Sequence, residues 1–266
     1  MPGYRNFWLS SALALTGVWV VLPSMLIAQG AADHVAMGIA AAEVRDPRIA
    51  LQHYQAALDQ DSLNYDANWR GAMTLLTLGE QLPQRTKNPE RDSLYALAER
   101  YASRGVASNP TGSDGHFALA AAMGQASLTM GKKERIRRAG LVRRSALRTL
   151  AIEPQHDGAH HILGRWNAEI MRTSGLSRFF AKKFLGAGVF NQASWQRAIY
   201  HMEKAAELDP GRIYHHLELA RIYADRKRYS DAEDRLERVD SLPEREVMDS
   251  VYKREAAALR RRVARK

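Results

Sequence analysis

The chain has 266 residues, 45% of them hydrophobic, and 39 Lys and Arg against 29 Asp and Glu, for a net charge of +10. That apolar share is enough to bury a sizeable core and excludes a disordered chain, while the absence of cysteine excludes disulfides, thiolate chemistry and Cys-based zinc sites. Long runs of Ala, Leu, Arg and Glu with few β-branched residues predict an all-α protein.

Residues 1–28 differ in composition from the rest. Arg5 is their one charged residue, and Phe7 to Leu22 is apolar apart from Ser10, Ser11, Thr16 and Gly17. Pro23 and Ser24 are expected to interrupt the helix, and small residues up to Ala28 and Gly30 offer a cleavage site. This is the layout of a secretory signal peptide, which predicts an exported, periplasmic or secreted protein. The alternative is a retained N-terminal membrane anchor, because the apolar run is nearly long enough to span a bilayer.

Residues 31–243 carry a recurring order of small, bulky, small and Pro residues. The first unit, Ala31 to Ser62, sets Gly38 twelve positions before Ala50, followed by Tyr54 and Ala57. The second begins at Tyr65, with Trp69 and Met73 on its first helix, and pairs Ala72 with Ala98, Ala102 and Pro110. Its wider spacing leaves an insertion, Leu82 to Arg91, whose two prolines predict an exposed loop. The third begins near Ser113 with an Ala-rich helix, Phe117 to Met130, and pairs Ala120 with Val142, Ala146 and Pro154. Its second helix holds Lys132, Lys133, Arg135, Arg137, Arg138, Arg143, Arg144 and Arg148 against the single acid Glu134. Phosphate contacts need such charge, but aromatic residues for stacking are missing and an exported chain does not meet nucleic acid. A solvated basic face is expected.

The fourth unit pairs Gly164 with Ala198, Met202 and Pro210 around a long insertion. Within it Leu176, Phe180 and Phe184 recur every four residues beside Arg178, Lys182 and Lys183. Such a basic, aromatic segment either packs back on the parent helices or lies in a membrane interface. The fifth unit pairs Ala220 with Ala232, Leu236 and Val239 and stops at Pro243. Residues 244–266 read as one capping helix with a basic tail, its Val247, Val251, Ala258 and Leu259 covering the final repeat.

This order resembles the tetratricopeptide repeat, whose uninterrupted unit is about 34 residues. Small residues let paired helices approach closely, and Pro stops the second helix because it has no N–H to donate. The expected fold is therefore a tetratricopeptide-like α-solenoid of about five helix pairs plus a C-terminal capping helix. From about Leu119 to Asp249 the chain also resembles the regulator of microtubule dynamics family. The residues that carry this are His161-Ile162-Leu163-Gly164-Arg165-Trp166, Ala181-Lys182-Lys183-Phe184-Leu185 and Lys204-Ala205-Ala206-Glu207-Leu208-Asp209-Pro210, with the Gly131-to-Ile136 helix entry. The resemblance implies a tetratricopeptide-like helical domain and a non-enzymatic adaptor role, with links to microtubules and membrane contact sites. An export signal departs from that pattern and points to an exported, bacterial relative that does not meet cytoplasmic microtubules.

The repeat frame places the first helices of each pair on the concave side. It assigns Trp69, Arg70, Met73, Phe117, His161, Arg165, Tyr214, Leu217 and Arg221 to a partner-binding groove, aromatic toward the N-terminal units and cationic toward the C-terminal ones. An extended peptide with a carboxylate end fits that pattern, with Arg as a two-pronged clamp. The competing reading is a peripheral membrane or anion-binding module using Lys132, Lys133, Arg135, Arg137, Arg138, Arg178, Phe180, Lys182, Lys183 and Phe184.

No enzyme, metal or cofactor is expected. His156, His160 and His161 form one group and His201, His215 and His216 another, but no zincin glutamate lies between them. Asp157 is expected as a helix N-cap and the pair His156 and His160, four apart, as one or two surface histidines at a helix start. No carboxylate stands in an apolar run where burial would raise its pKa.

Overall fold

A computed structural model of the protein describes residues 22–84, 86–173 and 191–266. Among them are eleven helices: α1 (Leu22–Glu43), α2 (Pro47–Gln60), α3 (Tyr65–Glu80), α4 (Pro89–Ser108), α5 (Ser113–Leu128), α6 (Lys132–Ile152), α7 (Asp157–Arg172), α8 (Trp195–Leu208), α9 (Ile213–Asp225), α10 (Tyr229–Ser241) and α11 (Asp249–Val263). Helices α1 to α10 pair in order into five units, and α11 closes the last. The apolar run before Leu22 and the segment 176–190, with Arg178, Phe180, Lys182, Lys183 and Phe184, lie outside the described residues. Among the described residues no helix is long and apolar enough to cross a membrane.

Helix ends follow the local chemistry. Asp46, Asn64, Asn88 and Ser194 accept backbone N–H groups at the starts of α2, α3, α4 and α8, and Pro47 and Pro89 sit in first turns where no N–H is needed. Pro110, Pro154, Pro210 and Pro243 each follow the C-cap of a second helix. Where the two helices of a unit are joined most directly, a single left-handed residue makes the turn: Arg45 (φ 63°) in the first unit and Lys227 (φ 60°) in the fifth.

The small residues occupy equivalent contacts. A Cβ on Gly38 would come within 2.5 Å of the Tyr54 ring, and one on Gly164 within 2.9 Å of Met202 Cε. Ala72, Ala120 and Ala220 at the same frame position are fully buried. The core is accordingly distributed along the ribbon. One cluster around Leu75, Tyr95 and Ala102 joins the first three units. A second, around Met202, Leu219 and Ile222, joins the fourth and fifth. A third, around Leu217, Leu236 and Tyr252, lies beneath α11.

A clasp between units recurs on the same spacing. Asn68 donates its side-chain amide to the Ser62 carbonyl at 3.0 Å, and the Nε2 atoms of His116, His160 and His216 reach the carbonyls of Pro110, Pro154 and Pro210 at 3.0, 3.1 and 3.0 Å. Each ties the turn that ends one unit to the first helix of the next.

Several expectations change. Pro23 stands in the first turn of α1, and that helix runs on without a break through Ala28 and Gly30. The loop expected over Leu82 to Arg91 ends at Asn88. Arg91 is buried, and its Nη1 donates to the carbonyls of Pro83 (2.7 Å) and Thr86 (3.2 Å), so the guanidinium anchors the loop it was expected to belong to. The cap helix starts at Asp249; Tyr252, Ala256 and Leu259 are its buried residues, whereas Ala258 is exposed and Val247 lies before the helix. His156 and His160 are buried instead of lying on the surface, and His161, His215 and His216 are buried with them, because the unit-to-unit turns enclose them. The N-cap of α7 is His156, whose Nδ1 accepts from the Ala159 N–H at 3.2 Å.

Candidate functional site: the concave cavity

Successive first helices turn one stripe each toward the inner side of the ribbon. From α3 come Met73, Thr77 and Glu80; from α5, Phe117, Ala121, Gly124 and Leu128; from α7, His161, Arg165 and Glu169. These i, i+3/i+4 sets share a helix face. Together with Arg212 and Tyr214 at the start of α9 they line a cavity of about 600 Å³. Ala42, Arg45 and Pro47 at the first turn and Arg135, Ala139 and Val142 of α6 add to the wall, and Arg245, Glu246, Val247, Met248 and Tyr252 complete it, so the C-terminal segment crosses the concave side and does not merely cover the last repeat.

Most of the lining is apolar, and the polar groups gather into connected networks. Glu80 accepts from the Gln125 amide at 2.5 Å and from the Tyr252 hydroxyl at 3.2 Å. Burial pushes the Glu80 carboxyl up, against the expectation that no carboxylate here would be so raised. The Tyr252 ring stacks on Tyr214 with centroids 4.3 Å apart and an interplanar angle of 6°. Arg165 donates to the Tyr214 hydroxyl at 2.5 Å, and its Nε lies 3.9 Å from Glu218. Burial pushes Glu218 up, but Arg165, Arg221 and Arg172 outweigh it and hold the carboxyl below its ordinary value.

Beside them runs a chain of imidazoles. Asp157 Oδ2 sits 2.9 Å from His215 Nε2, and His215 Nδ1 sits 2.8 Å from His161 Nδ1. The carboxylate draws the His215 proton to Nε2, which leaves His215 Nδ1 to accept from the His161 Nδ1–H; this assignment follows from the network. His161 Nε2 then has no hydrogen-bond partner among the described residues. Desolvation holds the His161 pKa well below the ordinary histidine value.

The sequence-derived groove residues divide on this geometry. Met73, Phe117, His161, Arg165 and Tyr214 meet at the cavity. Trp69 does not: it packs on the first core cluster, donates to Asp66 at 3.0 Å and carries the Arg70 guanidinium 4.2 Å above its ring. Leu217 is fully buried among α9, α10 and α11, away from the lining. Arg221 is held by Glu218 and Glu255. Arg221 is thus neutralised by partners that the repeat frame does not reveal. Glu80, Gln125 and Tyr252 were missed; the spacing from Met73 to Glu80, two helical turns on one face, was the available signal for the first. On α6, Lys133, Arg135, Arg137 and Arg144 are exposed, whereas Arg138 is buried against Glu99. Arg135 also borders the cavity. Among the described residues no group of three or more His, Asp or Glu could hold a metal ion.

A ribbon of paired helices with a hollow on the side of its first helices is a tetratricopeptide-type α-solenoid. Within that class, the family described as RMD1-3: Regulator of microtubule dynamics protein 1-3 matches residues 33–264, and the chain belongs to it. The match extends beyond the half of the chain in which the resemblance was legible. No curated protein matches the sequence. Among solved structures, TTC0263, a thermophilic TPR protein in Thermus thermophilus, is 17% identical with a TM-score of 0.61, covering 86% of this chain and 98% of its own. PilF of Pseudomonas aeruginosa is 13% identical with a TM-score of 0.48, covering 90% of this chain and 88% of its own. MamA 41-end from Desulfovibrio magneticus RS-1 is 14% identical with a TM-score of 0.43, covering 89% and 98%. At these identities the likeness to TTC0263 establishes the fold.

Proposed function

We propose that the protein is a non-enzymatic adaptor that holds an extended peptide or a partner helix in the concave cavity. The observation that carries this reading is the cavity itself: about 600 Å³, walled by apolar side chains of three first helices, with Glu80, His161 and Arg165 at one side. Apolar walls supply binding energy and a few fixed polar groups supply orientation. Arg165 keeps further N–H groups for a carboxylate beyond the one given to Tyr214. The test is selection of binding peptides from a random display library on the purified chain. Ala121→Trp, which fills the cavity, should abolish binding of a selected peptide, Arg165→Ala should weaken it, and Arg221→Ala should leave it nearly unchanged. Full binding by Ala121→Trp with unchanged helical content would refute the assignment.

Two further parts of the reading rest on the sequence. Residues 1–28 are proposed to direct export, which removes the chain from cytoplasmic microtubules; N-terminal sequencing of the protein from its host checks this. A second reading, favoured by the exposed Lys133, Arg135, Arg137 and Arg144 on α6, is a peripheral anionic-membrane surface. Flotation with anionic but not neutral liposomes, lost at high salt, would support it.

A further inference from the structure

The segment that crosses the concave side makes ligand-like contacts. After α10 the chain leaves Leu242 and passes through the exposed Pro243, Glu244 and Arg245. Glu246 then reaches Arg212 at 2.9 Å, and Val247 and Met248 enter the cavity wall. Tyr252 lies on Tyr214 and bonds to Glu80, a residue of the second unit. A helix that only capped the fifth pair would have no reason to touch the second. The capping task is shared with residues farther along: Ala256 and Leu259 pack on α9 and α10 in the cluster that also holds Met248 and Tyr252, and Lys253 Nζ holds the Leu242 carbonyl at 2.7 Å.

The outer polar anchor of the crossing segment is of an exchangeable kind, and its inner residues are packed. The Arg212–Glu246 pair is about a third exposed on each side (26% and 43%), and Arg245–Asp209 is long at 3.4 Å with exposures of 59% and 32%. An exposed pair such as Arg245–Asp209 contributes little net stability and can change partners, whereas Arg212 also holds Asp157 at 3.1 Å and burial pushes the Glu246 carboxyl up. Release must undo the turn held by Asp249, whose Oδ2 caps the Arg245 and Glu246 N–H groups at 2.7 Å each, and lift Met248 and Tyr252 out of the buried cluster they share with Leu217 and Leu236.

We infer that residues Arg245 to Tyr252 are a displaceable internal ligand of the concave surface, and that the partner which replaces them is an acidic, aromatic peptide. Such a peptide would set a carboxylate on Arg212 and an aromatic ring on Tyr214, with the spacing of Glu246 and Tyr252. Charge complementarity supports an acidic occupant, since Arg45, Arg135, Arg165 and Arg212 border the cavity outside the crossing segment and outnumber Glu80 and Glu169 there. This inference rests on the peptide-binding reading of the same cavity.

The probe is a fluorescein-labelled synthetic peptide of residues 243–254, titrated into the full chain and into its Glu246→Gln/Tyr252→Phe variant, with polarisation as the readout. Both substitutions keep shape and packing while removing the ion pair and the bond to Glu80. The peptide should bind the variant about tenfold more tightly, because a larger fraction of molecules has the site open. A peptide lacking the Glu and Tyr equivalents should lose that affinity. Amide hydrogen exchange should be faster over 243–252 in the variant, with α8 to α10 unchanged. Equal affinity for both proteins, or unchanged exchange over 243–252, would overturn the inference. If the probe fails while a display-selected peptide still binds and Ala121→Trp blocks it, the internal-ligand idea falls and the peptide site stands. If neither peptide binds, both fall.

Discussion

Tyr54 occupies the space beside Gly38, where an added Cβ would meet its ring at 2.5 Å. Gly38 is there because α1 and α2 pack backbone to ring, and a stiff aromatic cannot retreat as a flexible chain end can. Gly38→Ala should therefore cost about 1–3 kcal/mol by overpacking. Gly124, on the cavity side of α5, has nothing within 4 Å of the same added atom. Gly124→Ala should stabilise by roughly 0.5–1 kcal/mol, because mid-helix glycine wastes backbone entropy. Urea midpoints of the two variants should move in opposite directions; movement in the same direction would contradict the contact assignment.

Arg138 and Arg137 are neighbours on α6 with opposite fates. Arg138 is buried and paired with Glu99 of α4, so it bridges two helices. Arg137 is exposed and pairs with Glu134 within its own helix at 2.6 Å. Arg138→Ala should cost on the order of 3 kcal/mol, since it leaves a carboxylate facing an emptied interface. Arg137→Ala should stay within about 0.5 kcal/mol. Chemical denaturation measures both, and equal losses would mean that α4 and α6 are not joined by this pair.

The buried histidines and the half-buried His201 set the acid limb of stability. Desolvation lowers the pKa of His160, His161, His201, His215 and His216, that of His201 to about 4. The unfolded chain takes up these protons first, at about pH 6.5, so the stability they contribute is complete above that value and is lost as pH falls toward 4. Asp157 extends the loss below about pH 4. Burial would raise its carboxyl, but the bonds from His215 and Arg212 outweigh it and hold the group below its ordinary value. Glu80 and Glu246, both raised by burial, act in the opposite sense and are most favourable below about pH 4.5, which offsets part of the loss. The urea midpoint should fall between pH 7 and 5, and less steeply in His201→Gln. A flat midpoint over that range would refute the burial of these imidazoles.

What the sequence discloses, and what it hides, follows from the range of each interaction. Gly38, Ala72, Ala120, Gly164 and Ala220 are legible because close helix approach tolerates only small residues, and that demand repeats in every unit. Pro110, Pro154 and Pro210 are legible because a missing N–H has one local consequence. His160 lies inside, not on the surface, and the signal for its clasp was present. Pro110 and His116, Pro154 and His160, and Pro210 and His216 share one spacing, which shows only when the units are aligned on their ends as well as on their small residues. Arg91 was misread because two prolines marked a loop, while a buried guanidinium gathering carbonyls leaves no pattern in composition. Tyr252 meeting Glu80 was beyond reach: their contact depends on the small rotations accumulated over three intervening helix pairs, and no single pair encodes that sum.

That contact also changes how the molecule comes apart. In an open stack of repeats the terminal pair frays first, and the rest survives because each pair leans only on its neighbours. Here Tyr252 and the segment before it rest on α3 and α9 together, so loosening the C-terminal end removes a wall from the second unit as well. The chain is wound like a key ring whose tip presses on its own coil, and prising up the tip uncovers the coil beneath it.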